Sequence, residues 1–147
     1  MENKVILTYY DVWENVAEET LWIDSLDNKR YQIKNIPFFA PNLAYNDIIT
    51  VEEDEGSLYF EEIVEPSEHS TIQITFFRNE TIEQTIKDIE SLNCSWEGMH
   101  EQQFIAVDIP PVVDYKKVKE YLYQQFDNKI LDYKEACLSE THLKNLR

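Results

Sequence analysis

Two stretches near the start of the chain alternate with period two. Leu21 and Ile23 face one way with Trp22 opposite, and Tyr31 and Ile33 face one way with Arg30, Gln32 and Lys34 opposite. That period belongs to a strand with one buried face. The same β-branched and aromatic character marks Lys4 to Tyr10, Glu18 to Asp24, Lys29 to Ile36, Asp47 to Glu53 and Leu58 to Glu65, punctuated by turns at Asp27-Asn28 and Glu55-Gly56. Five short strands in about 60 residues predict a small β-barrel or bent antiparallel sheet. Ile48 to Val51 and Leu58 to Val64 form its expected hairpin.

After Glu65-Pro66-Ser67-Glu68-His69-Ser70 the period changes. Ile72, Ile74 and Phe76 still alternate, but Ile82, Ile86, Ile89 and Leu92 recur at four, three and three, the stripe of a helix. Asn79 or Thr81 can cap it, the latter through a Thr81-x-x-Gln84 capping box. Two strands follow, Asn93 to Glu97 and Gln103 to Ile109, joined by Gly98-Met99-His100-Glu101 and stopped by Pro110-Pro111. Asp114 caps a second helix with Tyr115, Val118, Leu122 and Phe126 on one face, and Ile130 to Lys134 is the last strand. The order βαββαβ with right-handed crossovers predicts a ferredoxin-like sandwich. The fold class is therefore α+β: a β-rich part over residues 1–66 and a ferredoxin-like part over 67–147, expected to form one compact unit because so small a barrel alone is marginal. Asn35-Ile36-Pro37-Phe38-Phe39-Ala40-Pro41-Asn42-Leu43 is too apolar for an ordinary solvent loop; it is expected in the seam between the parts, the alternative being an exposed interaction patch.

Charge narrows the function. The 147 residues hold 29 Asp and Glu against 13 Lys and Arg, a net charge of -16. Nucleic acid and anionic membrane would repel such a chain. Gln73, Thr75, Phe77 and Phe104 are expected on the open sheet face, but Gln102-Gln103-Phe104-Ile105-Ala106-Val107 lacks the basic-Gly-aromatic pattern of an RNA-reading strand, and the aromatics are better used to cover the β-rich part. With Gly56 and Gly98 the only glycines, no phosphate-cradling loop can be built. The N-terminus has no secretory signal pattern and no run is long enough to span a bilayer, so a cytoplasmic location is expected. Cys94 and Cys137 lie far apart and are expected to stay reduced.

No catalytic constellation emerges. Ser67, Ser70 and Cys137 have no nucleophile elbow and no local base, and the imidazole of His69 points away from Ser70 on an extended segment. His69 is expected to hydrogen-bond at the junction between the parts. His69, His100 and His142 have no metal-ligand spacing, and the run from Glu52 to Glu55 lacks a calcium-loop series, so neither metal nor cofactor is expected. Splitting the charge is more informative: residues 1–66 carry 15 acids and 4 bases, net -11, whereas 67–147 carry 14 and 9, net -5. Glu52, Glu53, Asp54 and Glu55, with Glu61, Glu62 and Glu65 on the neighbouring strand, form a candidate docking surface for a cationic protein partner, with Trp22 as a candidate aromatic anchor. Their other use is a solvated turn, and Trp22 has an alternative place in the core.

Asn35-Ile36-Pro37-Phe38-Phe39, Tyr45-Asn46-Asp47-Ile48-Ile49, His69-Ser70-Thr71, Val107-Asp108-Ile109-Pro110-Pro111 with Asp114-Tyr115, and Asp132-Tyr133-Lys134-Glu135-Ala136-Cys137-Leu138 resemble, in order and spacing, the bacterial domain-of-unknown-function family 4265. The similarity runs from Val12 onward and departs at Asn46 and Glu68, where members often carry Gly. It implies a bacterial cytoplasmic protein and transfers no catalytic residue. The function expected is a non-catalytic immunity protein or antitoxin that neutralises a bacterial toxin, a nuclease fitting well because its substrate groove is cationic. The alternatives are a small-molecule-binding or regulatory module using the cleft between the two parts, and a hydrolase using scattered carboxylates.

Overall fold

A computed structural model describes residues 3–99 and 103–147. The expected turn residues His100 and Glu101 lie outside the described residues, as do Met1, Glu2 and Gln102. Five strands, β1 (Asn3–Tyr10), β2 (Val16–Ser25), β3 (Tyr31–Ile33), β4 (Ile48–Asp54) and β5 (Ser57–Glu65), pair antiparallel in chain order. A short parallel pairing, Val5 opposite Leu58 and Ile6 opposite Tyr59, joins β5 back to β1 and closes the sheet into a barrel. Val5, Leu7, Leu21, Ile23, Ile33 and Ile49 fill it, as the alternation requires.

The third strand is shorter than the expected Lys29 to Ile36. Lys29 is in the left-handed region at φ 59°, and after Lys34, whose N–H still donates to Trp22 O, the chain turns away: the Asn35 side chain takes over the Trp22 N–H and Pro37 has no donor to continue a ladder. The chain then runs into the seam. Ala40 and Leu43 complete the barrel core, while Phe38 packs tilted against Phe104 of the second sheet at 5.9 Å and Phe39 stacks on it at 5.4 Å. The apolar segment thus lies between the two parts, as expected.

The second sheet holds β6 (Ser70–Phe76), β7 (Ser95–Met99), β8 (Phe104–Ile109) and β9 (Leu131–Cys137) in the order β7-β8-β6-β9, all antiparallel. Helices α1 (Ile82–Ser91) and α2 (Tyr115–Asp127) follow β6 and β8. Ile72, Ile74, Phe76, Ile105, Val107 and Ile109 form one core with Ile89, Tyr115, Val118 and Leu122 of the helices. Alternate residues Thr71, Gln73, Ala106 and Asp108 are buried too, which means the second face is covered. Thr71 Oγ1 donates to Leu43 O and Asn42 N–H to Ala136 O across that face. Phe104 covers the β-rich part as expected, whereas Phe77, just past the end of β6, is half exposed.

Three further expectations need correcting, and one helix is additional to them. Thr81 makes no capping box: it is itself helical, at the end of a 3-10 turn over Asn79–Thr81, and its hydroxyl donates to Arg78 O while Gln84 pairs with Asp88. The strand expected from Asn93 begins at Ser95. Asn93, at φ 66°, terminates α1 in a left-handed cap, with Asn93 N–H on Glu90 O and Cys94 N–H on Ile89 O. Phe126 leaves the buried stripe of α2 and meets Tyr133 edge-on. A C-terminal helix, α3 (Glu140–Asn145), was not expected; Ser139 caps it by accepting from His142 N–H. The Asp114 cap, accepting from Lys116 N–H, is as expected.

Candidate functional site

The acidic hairpin follows from its turn. Asp54 faces Ser57 across a two-residue loop in which Glu55 and Gly56 have φ of 50° and 84°. Paired positive φ values match the natural twist of a hairpin, and this is where the chain spends one of its two glycines. Ile49 and Val51 point into the barrel, so Glu52 and Asp54 point out. A register shift leaves Glu61 extra on β5, where it accepts from Thr50 Oγ1 at 3.3 Å, with Glu62 opposite Thr50. Glu52, Glu53, Asp54, Glu55, Glu61, Glu62 and Glu65 are all exposed. Among the described residues only Glu65 has an ion-pair partner, Arg30 at 2.9 Å.

Trp22 is not part of that hairpin. It stands on β2 opposite Lys4, whose Nζ sits 4.4 Å from the ring centroid, and it is 41% exposed. It lines a cleft of about 260 Å³ where barrel, seam and second sheet meet, with Lys4, Glu19, Asn35, Phe38 and Glu97. The two carboxylates there are engaged by backbone donors. Glu19, nearly buried, accepts from the N–H groups of Phe38, Phe39 and Ala40 at 2.6, 3.1 and 2.9 Å. Glu97 accepts from Ile36 N–H at 3.1 Å. These bonds hold the seam segment, which has no ladder of its own.

The linker between the parts is clamped residue by residue. Asp47 accepts from Ser67 N–H and Ala44 N–H on the barrel side. Glu68 accepts from the Thr141 N–H and hydroxyl, which holds its carboxyl below the usual range. His69 Nδ1 lies 2.9 and 3.1 Å from the two oxygens of Asp108, at the junction as expected. Burial pushes the Asp108 carboxyl up, His69 pulls it back, and Glu97 adds to the rise.

Ser70 does acquire a base, from 72 residues away: its Oγ is 2.6 Å from His142 Nδ1, and His142 Nε2 is 3.0 Å from Pro110 O. Since a carbonyl only accepts, Nε2 carries the proton and Nδ1 accepts from the hydroxyl. Burial lowers the His142 pKa and favours this neutral form. The geometry is that of a nucleophile and its base, but both side chains are fully buried and Ser70 Oγ also accepts from Ser139 N–H. No substrate reaches this hydroxyl, and the pair fastens α3 to the sheet. The only local signal in the sequence was Ser139 ahead of Glu140, a cap pattern. The thiols are free, and burial pushes Cys94 up to about 12 and Cys137 to about 11, which disfavours the thiolate form.

Among the described residues no helix is long and apolar enough to cross a membrane, and no three His, Cys, Asp or Glu side chains are grouped to hold a metal ion. The family model described as Domain of unknown function (DUF4265) matches residues 19–133. A solved structure of a hypothetical protein from Neisseria gonorrhoeae is similar with a TM-score of 0.83 and 32% identity, over 95% of this chain and 96% of that one. Comparison with curated proteins gives no match.

Proposed function

The chain belongs to the DUF4265 family, and from that starting point we propose that it is a non-catalytic binding protein, an immunity protein or antitoxin of the bacterial cytoplasm that docks a cationic toxin. The observation that carries this reading is the β4–β5 hairpin, where six of seven exposed carboxylates have no cation of their own among the described residues. Unneutralised charge of one sign at an exposed turn attracts a cationic partner at long range, and electrostatic steering raises association rates by roughly 10 to 1,000 fold at low salt. A nuclease offers the matching surface, because its substrate groove must itself be cationic. We read the scaffold as a small barrel joined to a ferredoxin-like sandwich, supported by the strand order β7-β8-β6-β9 with helices after β6 and β8.

The test is co-expression with the product of the adjacent gene. Rescue of growth that this product arrests, with co-purification of the two proteins, is the expected result. Loss of both overturns the reading.

A second reading, a small-molecule-binding or regulatory module, is favoured by the cleft in which Lys4, Trp22, Asn35 and Glu97 converge at the junction. A saturable rise in melting temperature with a metabolite, abolished by Trp22→Ala, would support it over the first.

A further inference from the structure

Four large apolar side chains stand in solvent within seven consecutive residues at the tip of the β1–β2 hairpin. Tyr10 is 75% exposed, Val12 83%, Trp13 78% and Val16 65%. A single exposed apolar residue needs no explanation, but a contiguous group marks an interface.

The tip is also held in shape. Asp11 Oδ1 accepts from the N–H groups of Trp13 and Asn15, each at 2.9 Å. Asp11 N–H donates to Asn15 O and Glu14 N–H to Asp11 O, and Tyr10 opposite Val16 is the last rung of the ladder. Glu14 takes the left-handed turn position at φ 63°. An aromatic presented on a backbone already ordered this way gives up little conformational freedom when it inserts into a partner.

Charge selects the occupant. From Val5 to Asn28 the chain has six acids, Asp11, Glu14, Glu18, Glu19, Asp24 and Asp27, and no Lys or Arg. A second copy of this chain, at net charge -16, or an anionic lipid surface would be repelled. An apolar pocket rimmed by basic residues would be attracted. We propose that the tip from Tyr10 to Val16 is the apolar anchor of a protein interface, with Trp13 entering a pocket on the partner that is ringed by Lys or Arg. This rests on the docking reading above and adds what keeps the partner bound once charge has brought it in.

Two fluorescein-labelled 12-residue peptides of equal charge, one alternating Arg with Leu and one alternating Arg with Ser, provide the test by anisotropy titration at low and high salt. The Arg-Leu peptide is expected to bind at least about tenfold more tightly, a tenfold ratio being the scale of one well-placed apolar contact. Trp13→Ala should erase that preference while leaving the melting temperature unchanged. Persistence of the preference in Trp13→Ala, or equal binding of the two peptides, overturns the anchor. The docking reading survives either result if binding is suppressed by salt and weakened by Glu52→Lys with Glu61→Lys. Binding of neither peptide overturns both. Trp13-dependent self-association in sedimentation, or Trp13-dependent flotation with phosphatidylethanolamine vesicles, would assign the tip to a second copy or to lipid and overturn the proposed pocket.

Discussion

Ser70 Oγ lies 2.6 Å from His142 Nδ1, with both side chains fully buried, so the last helix is fastened to the first strand of the second sheet through one hydroxyl. Removing that hydroxyl in Ser70→Ala strands the Ser139 N–H and the His142 nitrogen together. The expected loss is about 2 kcal/mol or more, the usual cost of leaving a buried polar group unpaired, and urea denaturation measures it.

The same pair gives stability a pH dependence of known sign. Burial lowers the folded pKa of His142 below its ordinary 6.5, so the unfolded chain binds the extra proton first. The contribution is fully present above about pH 6.5 and is lost as pH falls through the folded value. Thermal melts at pH 8, 6 and 5 should show this decline, and His142→Asn should be less stable at pH 8 yet fall less on acidification.

Asp108 has the opposite sign. Its folded pKa is raised, chiefly by burial, so its contribution is favourable below the ordinary 3.8 and is lost as pH rises through the folded value. At neutral pH the buried carboxylate is a cost. Asp108→Asn keeps an oxygen facing His69 and is expected to match or exceed the parent at pH 8, whereas Asp108→Leu, which leaves the His69 nitrogen unpaired, should be clearly less stable.

Glu19 concentrates three backbone bonds on one carboxylate. Glu19→Ala is expected to cost about 3 kcal/mol or more, with hydrogen exchange rising first at Phe38, Phe39 and Ala40, since bonds to a charged acceptor run at about 1.5–3 kcal/mol each. Glu19→Gln, with one acceptor oxygen, should fall between.

Asn46 and Glu68 have φ of 70° and 68°. The backbone at both positions is the one glycine adopts without strain. The two replacements should nonetheless differ. Asn46→Gly gives up only an Nζ contact from Lys34 and should be near neutral, while Glu68→Gly also releases Thr141 and should lower stability. Matched chemical melts decide it.

Where burial follows chain period, the sequence could be read directly: Leu21 and Ile23 inward with Trp22 outward, and the Ile72, Ile74 and Phe76 face, stand where alternation puts them. Left-handed turns were harder to read. With only two glycines, the chain gives positive φ to ten other described residues, among them Asn93 and Lys129, which end helices, so boundaries near them carried no glycine mark. The last helix depends on Ser70 and Glu68 meeting His142 and Thr141 across more than 70 positions, a contact that no local pattern records. Charge showed where the acids lie, but not that Trp22 faces Lys4 over a cleft, nor that Trp13 is more exposed than Trp22.

Barrel closure has a consequence for the order of synthesis. β2 follows β1 directly in the chain, but the residues that pair with the other edge of β1, Leu58 and Tyr59, leave the ribosome some 50 residues after β1 itself. Until then an unpaired edge is displayed, the kind of template on which chains stick to one another. The acids from Asp11 to Asp27 and from Glu52 to Glu55 emerge during that interval and carry charge of one sign on every copy. Like charge on neighbouring copies opposes such edge-to-edge pairing while the ring is still open.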